Sequence, residues 1–209
     1  MSGRRRVGAV LTLALAAAAA AALAQAPAKP ALKPAKAVAK DPPVAPGTEA
    51  VVETAKGRFT IRLLPEVAPK HAALFVRTAK SGGYDGTVFH RVIVGGIIQG
   101  GDPLSKDEAK AAQYGTGGLG LVPAEFSDRP FVRGTVAAAR KPSSVDSGGR
   151  QFFVCLREQA SLAGQYTIFG EVVSGMEVVD QISLTPADGD RAKERVEMKV
   201  TVLEPAPAP

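Results

Sequence analysis

Apolar and polar residues alternate with a period of two in several short runs between residues 48 and 204. The clearest run, residues 58–63, places Phe59, Ile61 and Leu63 on one side and polar residues on the other. This alternation predicts a β-strand that lies with one face on a core. Further apolar runs, separated by turns that contain Gly, cover residues 50–54, 87–93, 97–98, 134–139, 151–156, 167–171 and 196–203. Many short strands with turn signals between them predict a barrel or a sandwich.

Two segments have the spacing of amphipathic helices instead. Residues 70–80 place an apolar stripe on one helical face, and the turn at residues 81–83 ends it. In residues 176–182, apolar residues recur at intervals of three. We therefore predict one all-β domain over residues 48–204, a closed antiparallel barrel of about eight strands capped by two α-helices.

The first 24 residues are typical of a secretory signal peptide. Three arginines at residues 4–6 precede an apolar run at residues 7–23, and Ala22-Leu23-Ala24 has the small-x-small pattern that a signal peptidase cleaves. The alternative is a retained membrane anchor, but the run is at the short limit for a span of about 20 residues and alanine is only weakly apolar. We expect cleavage, no stable membrane span afterwards, and a periplasmic or otherwise exported protein.

The segments on either side of the domain have the composition of disordered chain. Residues 25–47 alternate Ala, Pro and Lys, and residues 205–209 have the same character. Such segments cannot bury enough apolar surface to offset their ordering entropy. We predict a disordered linker at residues 25–47 and a disordered tail at residues 205–209.

The formal charge of +6 belongs to the N-terminal segments. From Thr48 onward, 19 basic residues balance 19 acidic ones, which argues against a nucleic-acid partner. The four lysines of the linker leave open a contact with an anionic surface. With Cys155, His71 and His90 as the only residues of their types, neither an internal disulfide nor a zinc site is expected.

The sequence does not support a dinucleotide-binding site or a serine hydrolase. Residues 115–120 match G-x-G-x-x-G, but Pro123 follows where a dinucleotide-binding loop requires the start of a helix. A serine hydrolase is equally unsupported, because the chain lacks G-x-S-x-G and neither histidine lies in a nucleophile elbow.

An ordered set of short motifs carries a resemblance to a known family. In chain order they are YDGTVFHRVI at residues 84–93, QGGD at 99–102, GTGG at 115–118, EF at 125–126, QFF at 151–153 and FGEV at 169–172. The set resembles the cyclophilins, peptidyl-prolyl cis/trans isomerases, and covers nearly all of residues 48–204. The resemblance implies that a monomer isomerises X-Pro bonds of proline-containing polypeptides without a cofactor or metal.

The resemblance also implies a site. Its catalytic residue is Arg91, and its substrate-binding residues are Ile97, Gln99, Ala139, Arg140, Gln151, Phe153, Leu162 and Tyr166. Gln99 and Gln151 are expected to contact the substrate backbone, whereas Phe153 and Leu162 are expected to form walls of a proline pocket. Tyr166 stands where many members have His.

The implied chemistry needs no nucleophile. Resonance gives the X-Pro bond partial double-bond character and a barrier of roughly 20 kcal/mol. A hydrogen bond donated to the proline nitrogen weakens that resonance, and a guanidinium can donate it because it stays protonated.

Two positions depart from the family pattern. Gly96 stands where an aromatic pocket wall is usual, and Arg140 stands where Asn is usual. An insertion at residues 104–114 is expected to form a short helix beside the groove. Gly96 favours an alternative function, a peptide-binding or chaperone module with little turnover. The enzyme is favoured by four intact residues: Arg91, Gln99, Gln151 and Phe153.

Overall fold

The computed structural model describes residues 42–205; the predicted signal peptide, most of the linker and most of the tail lie outside them. The described chain forms ten strands and two α-helices in the order β1 Glu49–Thr54, β2 Gly57–Leu63, α1 Pro69–Lys80, β3 Thr87–Ile93, β4 Ile97–Gly100, β5 Thr135–Ala138, β6 Phe152–Cys155, β7 Ile168–Ser174, α2 Met176–Ser183, β8 Ala187–Asp188, β9 Arg191–Ala192 and β10 Glu197–Leu203. No helix in this part of the chain is long and apolar enough to cross a membrane.

Eight of the strands close into an antiparallel barrel. Their order is β10-β1-β2-β7-β5-β6-β4-β3, and pairing of β3 with β10 completes the circle. Strands β8 and β9 form a small hairpin that joins β3 where Arg91 lies opposite Arg191. The predicted barrel is therefore confirmed, and the hairpin is an addition that the hydrophobic pattern did not reveal.

Both helices pack on the core of the barrel. The Phe75 ring of α1 contacts the rings of Tyr84, Phe152 and Phe169 at centroid distances of 5.0, 5.7 and 5.5 Å. In α2, Val179 and Ile182 are fully buried. Burial of these side chains stabilises the barrel and fixes the direction of the strands that carry the site.

The turn before α2 requires a glycine. Gly175 has a φ of +82°, a left-handed conformation that side chains disfavour. A Cβ at this position would also lie 2.5 Å from the Arg58 carbonyl oxygen. Glycine thus allows β7 to turn closely over β2 before the helix begins.

The insertion forms two short 3-10 helices, Pro103–Lys106 and Glu108–Gln113, where one short helix was predicted. Each is capped by an aspartate, since Asp102 accepts from Leu104 N and Asp107 accepts from Ala109 N. The Ser105 hydroxyl also accepts a 3.0 Å hydrogen bond from Val88 N. This bond ties the insertion to the start of β3, beside the predicted site.

Candidate active site

One surface groove of about 370 Å³ brings together most of the residues that the sequence predicted for the site. Eight of the nine line it: Arg91, Ile97, Gln99, Ala139, Arg140, Phe153, Leu162 and Tyr166. They come from neighbouring strands β3, β4 and β6, from the loop after β5, and from the segment between β6 and β7. Six further residues complete the lining: His90, Tyr114, Gly115, Pro142, Asp190 and Arg191.

One part of the groove is apolar. Phe153 is buried between the ring of Phe131, stacked at 6.5 Å, and the ring of Tyr166, which meets it edge-on at 5.4 Å. Ile97 and Leu162 pack against the same cluster and remain partly exposed. This surface can hold a small apolar ring such as the pyrrolidine of proline.

Arg91 supplies a cation beside the apolar surface. Its Nε donates a 2.6 Å hydrogen bond to Asp190 Oδ2, and the two side chains are 41% and 51% exposed. That hydrogen bond holds the pKa of the Asp190 carboxyl below its usual range, so this carboxyl is charged at neutral pH. Within residues 42–205 the Arg91 Nη groups form no hydrogen bond. The guanidinium is therefore oriented and still has donors available.

Gln99 is held by a chain of hydrogen bonds that runs into the protein. Its Nε2 donates to Gln151 Oε1 at 3.0 Å, and Gln151 Nε2 donates to the Gly117 carbonyl oxygen at 2.7 Å and to Asp102 Oδ2 at 3.3 Å. The fully buried Asp102 also accepts from the backbone N–H groups of Gly115 and Gly117. This network leaves the Gln99 side chain with a fixed direction at the groove.

Arg140 runs along the rim of the groove. Its guanidinium carbon lies 4.7 Å from the centroid of the Tyr166 ring, within the range of a cation–π contact. Its Nε and Nη1 donate to the carbonyl oxygens of Gln165 and Lys141. The neighbouring Ala139 is buried, and its N–H donates to the Gln151 carbonyl oxygen at 2.9 Å.

Comparison with known proteins identifies the family. The profile described as "Cyclophilin type peptidyl-prolyl cis-trans isomerase/CLD" matches residues 50–203. The chain belongs to the cyclophilin family. A probable peptidyl-prolyl cis-trans isomerase of Brucella suis is 42% identical over 142 residues, 66% of this chain and 72% of the relative. Peptidyl-prolyl cis-trans isomerase B of Streptomyces anulatus is 39% identical over 175 residues, 74% of this chain and 95% of the relative.

Solved cyclophilins have the same fold. A cyclophilin type peptidyl-prolyl cis-trans isomerase of Cryptosporidium parvum matches with a TM-score of 0.67 and 26% identity, covering 76% of this chain and 99% of that one. Its structure in the presence of the dipeptide Ala-Pro matches with a TM-score of 0.65. Together with the family match, these relatives show that this cyclophilin is a peptidyl-prolyl cis/trans isomerase, an enzyme that acts on proline-containing peptides.

Gln151 is placed differently from the other predicted site residues. It is fully buried and does not line the groove, although the sequence predicted that it would contact substrate. The reason is that its amide group already bonds to Gln99, Asp102 and Gly117. In this cyclophilin Gln151 lies behind Gln99 and supports it.

Gly96 does not line the groove either. It is buried, and a Cβ at this position would lie 2.7 Å from Ile93 Cγ2. The Ile93 side chain therefore occupies the space that an aromatic residue at position 96 would enter first. The expected open pocket wall at Gly96 is not part of the lining that the structure describes.

Sequence reasoning missed four polar side chains of the groove: His90, Tyr114, Asp190 and Arg191. Burial lowers the pKa of His90, and both its ring nitrogens lack a hydrogen-bond partner within residues 42–205. Tyr114 comes from the insertion and lies with its ring 6.4 Å from that of His90. His90 sits in a recognised motif, but only the three-dimensional arrangement reveals the contribution of Asp190 and Arg191.

Proposed function

We propose that this cyclophilin accelerates rotation about X-Pro bonds in exported proteins, with Arg91 as the catalytic residue. The observation that carries this proposal is the placement of an oriented guanidinium beside an apolar surface that fits a proline ring. No nucleophile is needed, because the reaction breaks no covalent bond.

Arg91 acts on the resonance of the X-Pro bond. As the bond rotates, the proline nitrogen becomes pyramidal and gains a lone pair that can accept a hydrogen bond. The Nη groups of Arg91 are free to donate it, since Asp190 engages Nε. A donor that is oriented before the reaction stabilises the twisted state without reorganisation.

The remaining residues hold the peptide while one side of the bond turns. Phe153, Ile97 and Leu162 grip the ring, and the Gln99 amide group binds a flanking backbone group of the substrate. Ala139 and Arg140 line the strip beside Tyr166 along which the peptide extends. Gln151 acts through Gln99 as a positioning residue.

The exported location is supported by the sequence pattern of residues 1–24, which precede the described chain. If this segment is a signal peptide, the protein recovered from its native host begins at Gln25 and is found in the exported fraction. N-terminal sequencing and cell fractionation measure both. A protein that keeps residues 1–24 and stays with the membrane would support the anchor alternative.

The test of the mechanism is exchange NMR on an X-Pro tetrapeptide, which reports cis/trans interconversion without a coupling protease. Arg91→Ala should lower kcat/KM at least about tenfold, with an unchanged melting temperature, because it removes a half-exposed donor and no core atom. The control Arg129→Ala removes an exposed arginine that pairs with Glu171 outside the groove, and its rate should equal that of the wild type.

Two results would contradict the proposal. An unchanged rate in Arg91→Ala would exclude the proposed role of that arginine. Binding of the peptide by the wild-type protein without any acceleration would show instead a peptide-binding module, the alternative that Gly96 favoured.

A further inference from the structure

The charged groups around the groove are unbalanced. Three arginines, Arg91, Arg140 and Arg191, line it together with a single carboxylate, Asp190. Asp190 is paired with Arg91. His90 is buried and neutral at neutral pH, since burial lowers its pKa. The surplus of positive charge therefore comes from Arg140 and Arg191.

Both of these arginines are held by carbonyl oxygens and not by carboxylates. Arg140 donates to Gln165 and Lys141, and Arg191 Nη1 donates to the Ala111 carbonyl oxygen at 3.1 Å. Neither side chain forms an ion pair within residues 42–205. By contrast, six other arginines each form an ion pair with a carboxylate: Arg58, Arg62, Arg91, Arg129, Arg133 and Arg195. Arg140 and Arg191 are thus fixed in position while their charge remains available to a ligand.

The position of Arg191 adds a second positive charge beside Arg91, where Asp190 is the one carboxylate that lines the groove. It lies directly opposite Arg91 in the pairing of β9 with β3, and like charges at opposed positions destabilise an antiparallel pair. The Arg191 side chain is exposed, so packing does not require it. A locally unfavourable choice at the edge of a binding groove is typical of a functional residue.

We propose that Arg140 and Arg191 make this cyclophilin favour X-Pro bonds that have an acidic residue next to the proline. The inference rests on the proposed function, because it places the substrate in the same groove. With the proline ring on Phe153, the residues that flank it extend past Arg140, which covers Tyr166, or past Arg191, which lies beside Arg91. A carboxylate at either place would accept charge-assisted hydrogen bonds from guanidinium N–H groups that the protein does not use.

The expected preference is moderate because both arginines are partly in water. Glu next to proline should raise kcat/KM about two- to fivefold over Gln, within the range of exposed ion pairs. The ratio of kcat/KM for the Glu peptide to that for the Lys peptide should be larger still. The preference should shrink at roughly 1 M salt, where charges are screened beyond about 3 Å.

The test compares two sets of acetylated tetrapeptides by exchange NMR, with Glu, Gln or Lys either before or after the proline. The measured quantity is the ratio of kcat/KM for the Glu peptide to that for the Gln peptide. Arg140→Gln and Arg191→Gln should each lower this ratio for one peptide set, with the variable residue either before or after the proline. In the set that responds to Arg191→Gln, Arg191→Glu should invert the ratio, so that the Gln peptide becomes the better substrate. The matched control Arg58→Gln removes an exposed arginine from strand β2 and should leave the ratio unchanged.

The outcomes separate this inference from the proposed function. Equal kcat/KM for the Glu and Gln peptides at both positions would overturn the charge preference and leave the isomerase mechanism intact. A preference that persists in both Gln variants would also overturn the assignment to these residues. If the wild-type protein turned over none of the peptides, the proposed isomerase mechanism would be overturned, and the charge preference with it.

Discussion

Asp190 lies outside the recognised motifs, yet its hydrogen bond to Arg91 gives it a positioning role. The two residues are 99 positions apart, and the β8–β9 hairpin brings them together. Because Asp190 engages Nε, it restricts the guanidinium to one orientation and leaves the Nη donors at the groove. Without the carboxylate, Arg91 would sample several rotamers, and fewer of them would reach the proline nitrogen.

Asp190→Ala should therefore lower kcat about three- to tenfold, with a smaller effect on KM, since a misplaced donor weakens the twisted state more than substrate binding. Asp190→Glu should recover part of the loss. A double-mutant cycle provides the sharper measurement: Asp190→Ala should have little further effect in the Arg91→Ala background. Additive losses in the cycle would show that Asp190 acts independently of Arg91.

Single residues also show how far the sequence could predict the site. Arg91, Gln99 and Phe153 could be placed together at the groove because each belongs to a short motif whose residues stay together in the fold. Asp190 was not found, because its contact with Arg91 depends on the register of a hairpin that carries no hydrophobic pattern. The buried Gln151 amide bonds to Asp102, and a motif cannot reveal which side chain lies in front of another.

Among the larger elements, the eight barrel strands were predictable because each has at least four residues that either alternate, as in β2, or are buried throughout, as in β6. The two-residue strands β8 and β9 are too short to show a period. The insertion, which is rich in Lys, Asp and Ala, predicts one short helix. It divides into two 3-10 helices because Asp102 and Asp107 each cap a separate turn.

Asp102 joins the insertion to the groove. Its buried carboxylate accepts from the N–H groups of Leu104, Gly115 and Gly117 and from the Gln151 amide. Asp102→Ala removes the acceptor of the Leu104, Gly115 and Gly117 N–H groups and leaves the Gln151 amide with the Gly117 carbonyl oxygen alone. The free energy of unfolding should therefore fall by about 3 kcal/mol or more. Isomerase activity should fall too, because Gln99 loses its support.

Urea denaturation of Asp102→Ala measures this loss. Asp107→Ala is the matched control, since Asp107 caps the second turn from an exposed position. Asp107→Ala should lower the free energy of unfolding by about 1 kcal/mol or less. Equal effects of the two substitutions would show that Asp102 serves only as a helix cap.

Glu125 satisfies the start of helix α1 from a distant loop. Its carboxylate accepts from the backbone N–H groups of Lys70 and His71, and its Oε2 lies 2.7 Å from His71 Nδ1. Burial alone would raise the pKa of Glu125, but the hydrogen bonds from His71 and Lys70 outweigh it and hold the pKa below the ordinary 4.5. A carboxyl with a lowered pKa stabilises the fold fully above its unfolded-state pKa and loses that contribution as pH falls through the folded value.

The free energy of unfolding should therefore decline as the pH drops below about 4.5. Glu125→Gln should cost about 1–3 kcal/mol at neutral pH and should show a shallower decline in this acidic window, because the amide does not titrate. The control Glu66→Gln removes an exposed carboxylate and should match the wild type at neutral pH. If the free energies of unfolding of the wild type and of Glu125→Gln decline in parallel with falling pH, another group governs the acid sensitivity of the fold.

At the scale of the whole molecule, the described chain extends further toward the N-terminus than the predicted domain. Val44 packs against the core, and Thr48 binds the Ala45 carbonyl oxygen through both its N–H and its hydroxyl. The composition of residues 25–47 predicts a disordered linker. Composition alone does not reveal that Val44, which lies among prolines, packs against core residues. Residues 25–41 lie outside the described chain, so for them the linker remains a prediction.

Truncation separates the two parts of this segment. A chain that begins at residue 42 should have the same kcat/KM and the same free energy of unfolding as one that begins at residue 25, because a disordered segment contributes neither to the groove nor to the core. A chain that begins at Thr48 should be less stable by about 1–2 kcal/mol, since it loses the partial burial of Val44 and the hydrogen bonds to Ala45. Its kcat/KM, measured where it is fully folded, should still equal that of the longer chains, because residues 42–47 do not line the groove. Urea denaturation and exchange NMR on the three chains test these expectations. If removal of residues 25–41 lowered kcat/KM, that segment would have to bind the substrate or the groove, and its lysines would be the first residues to substitute.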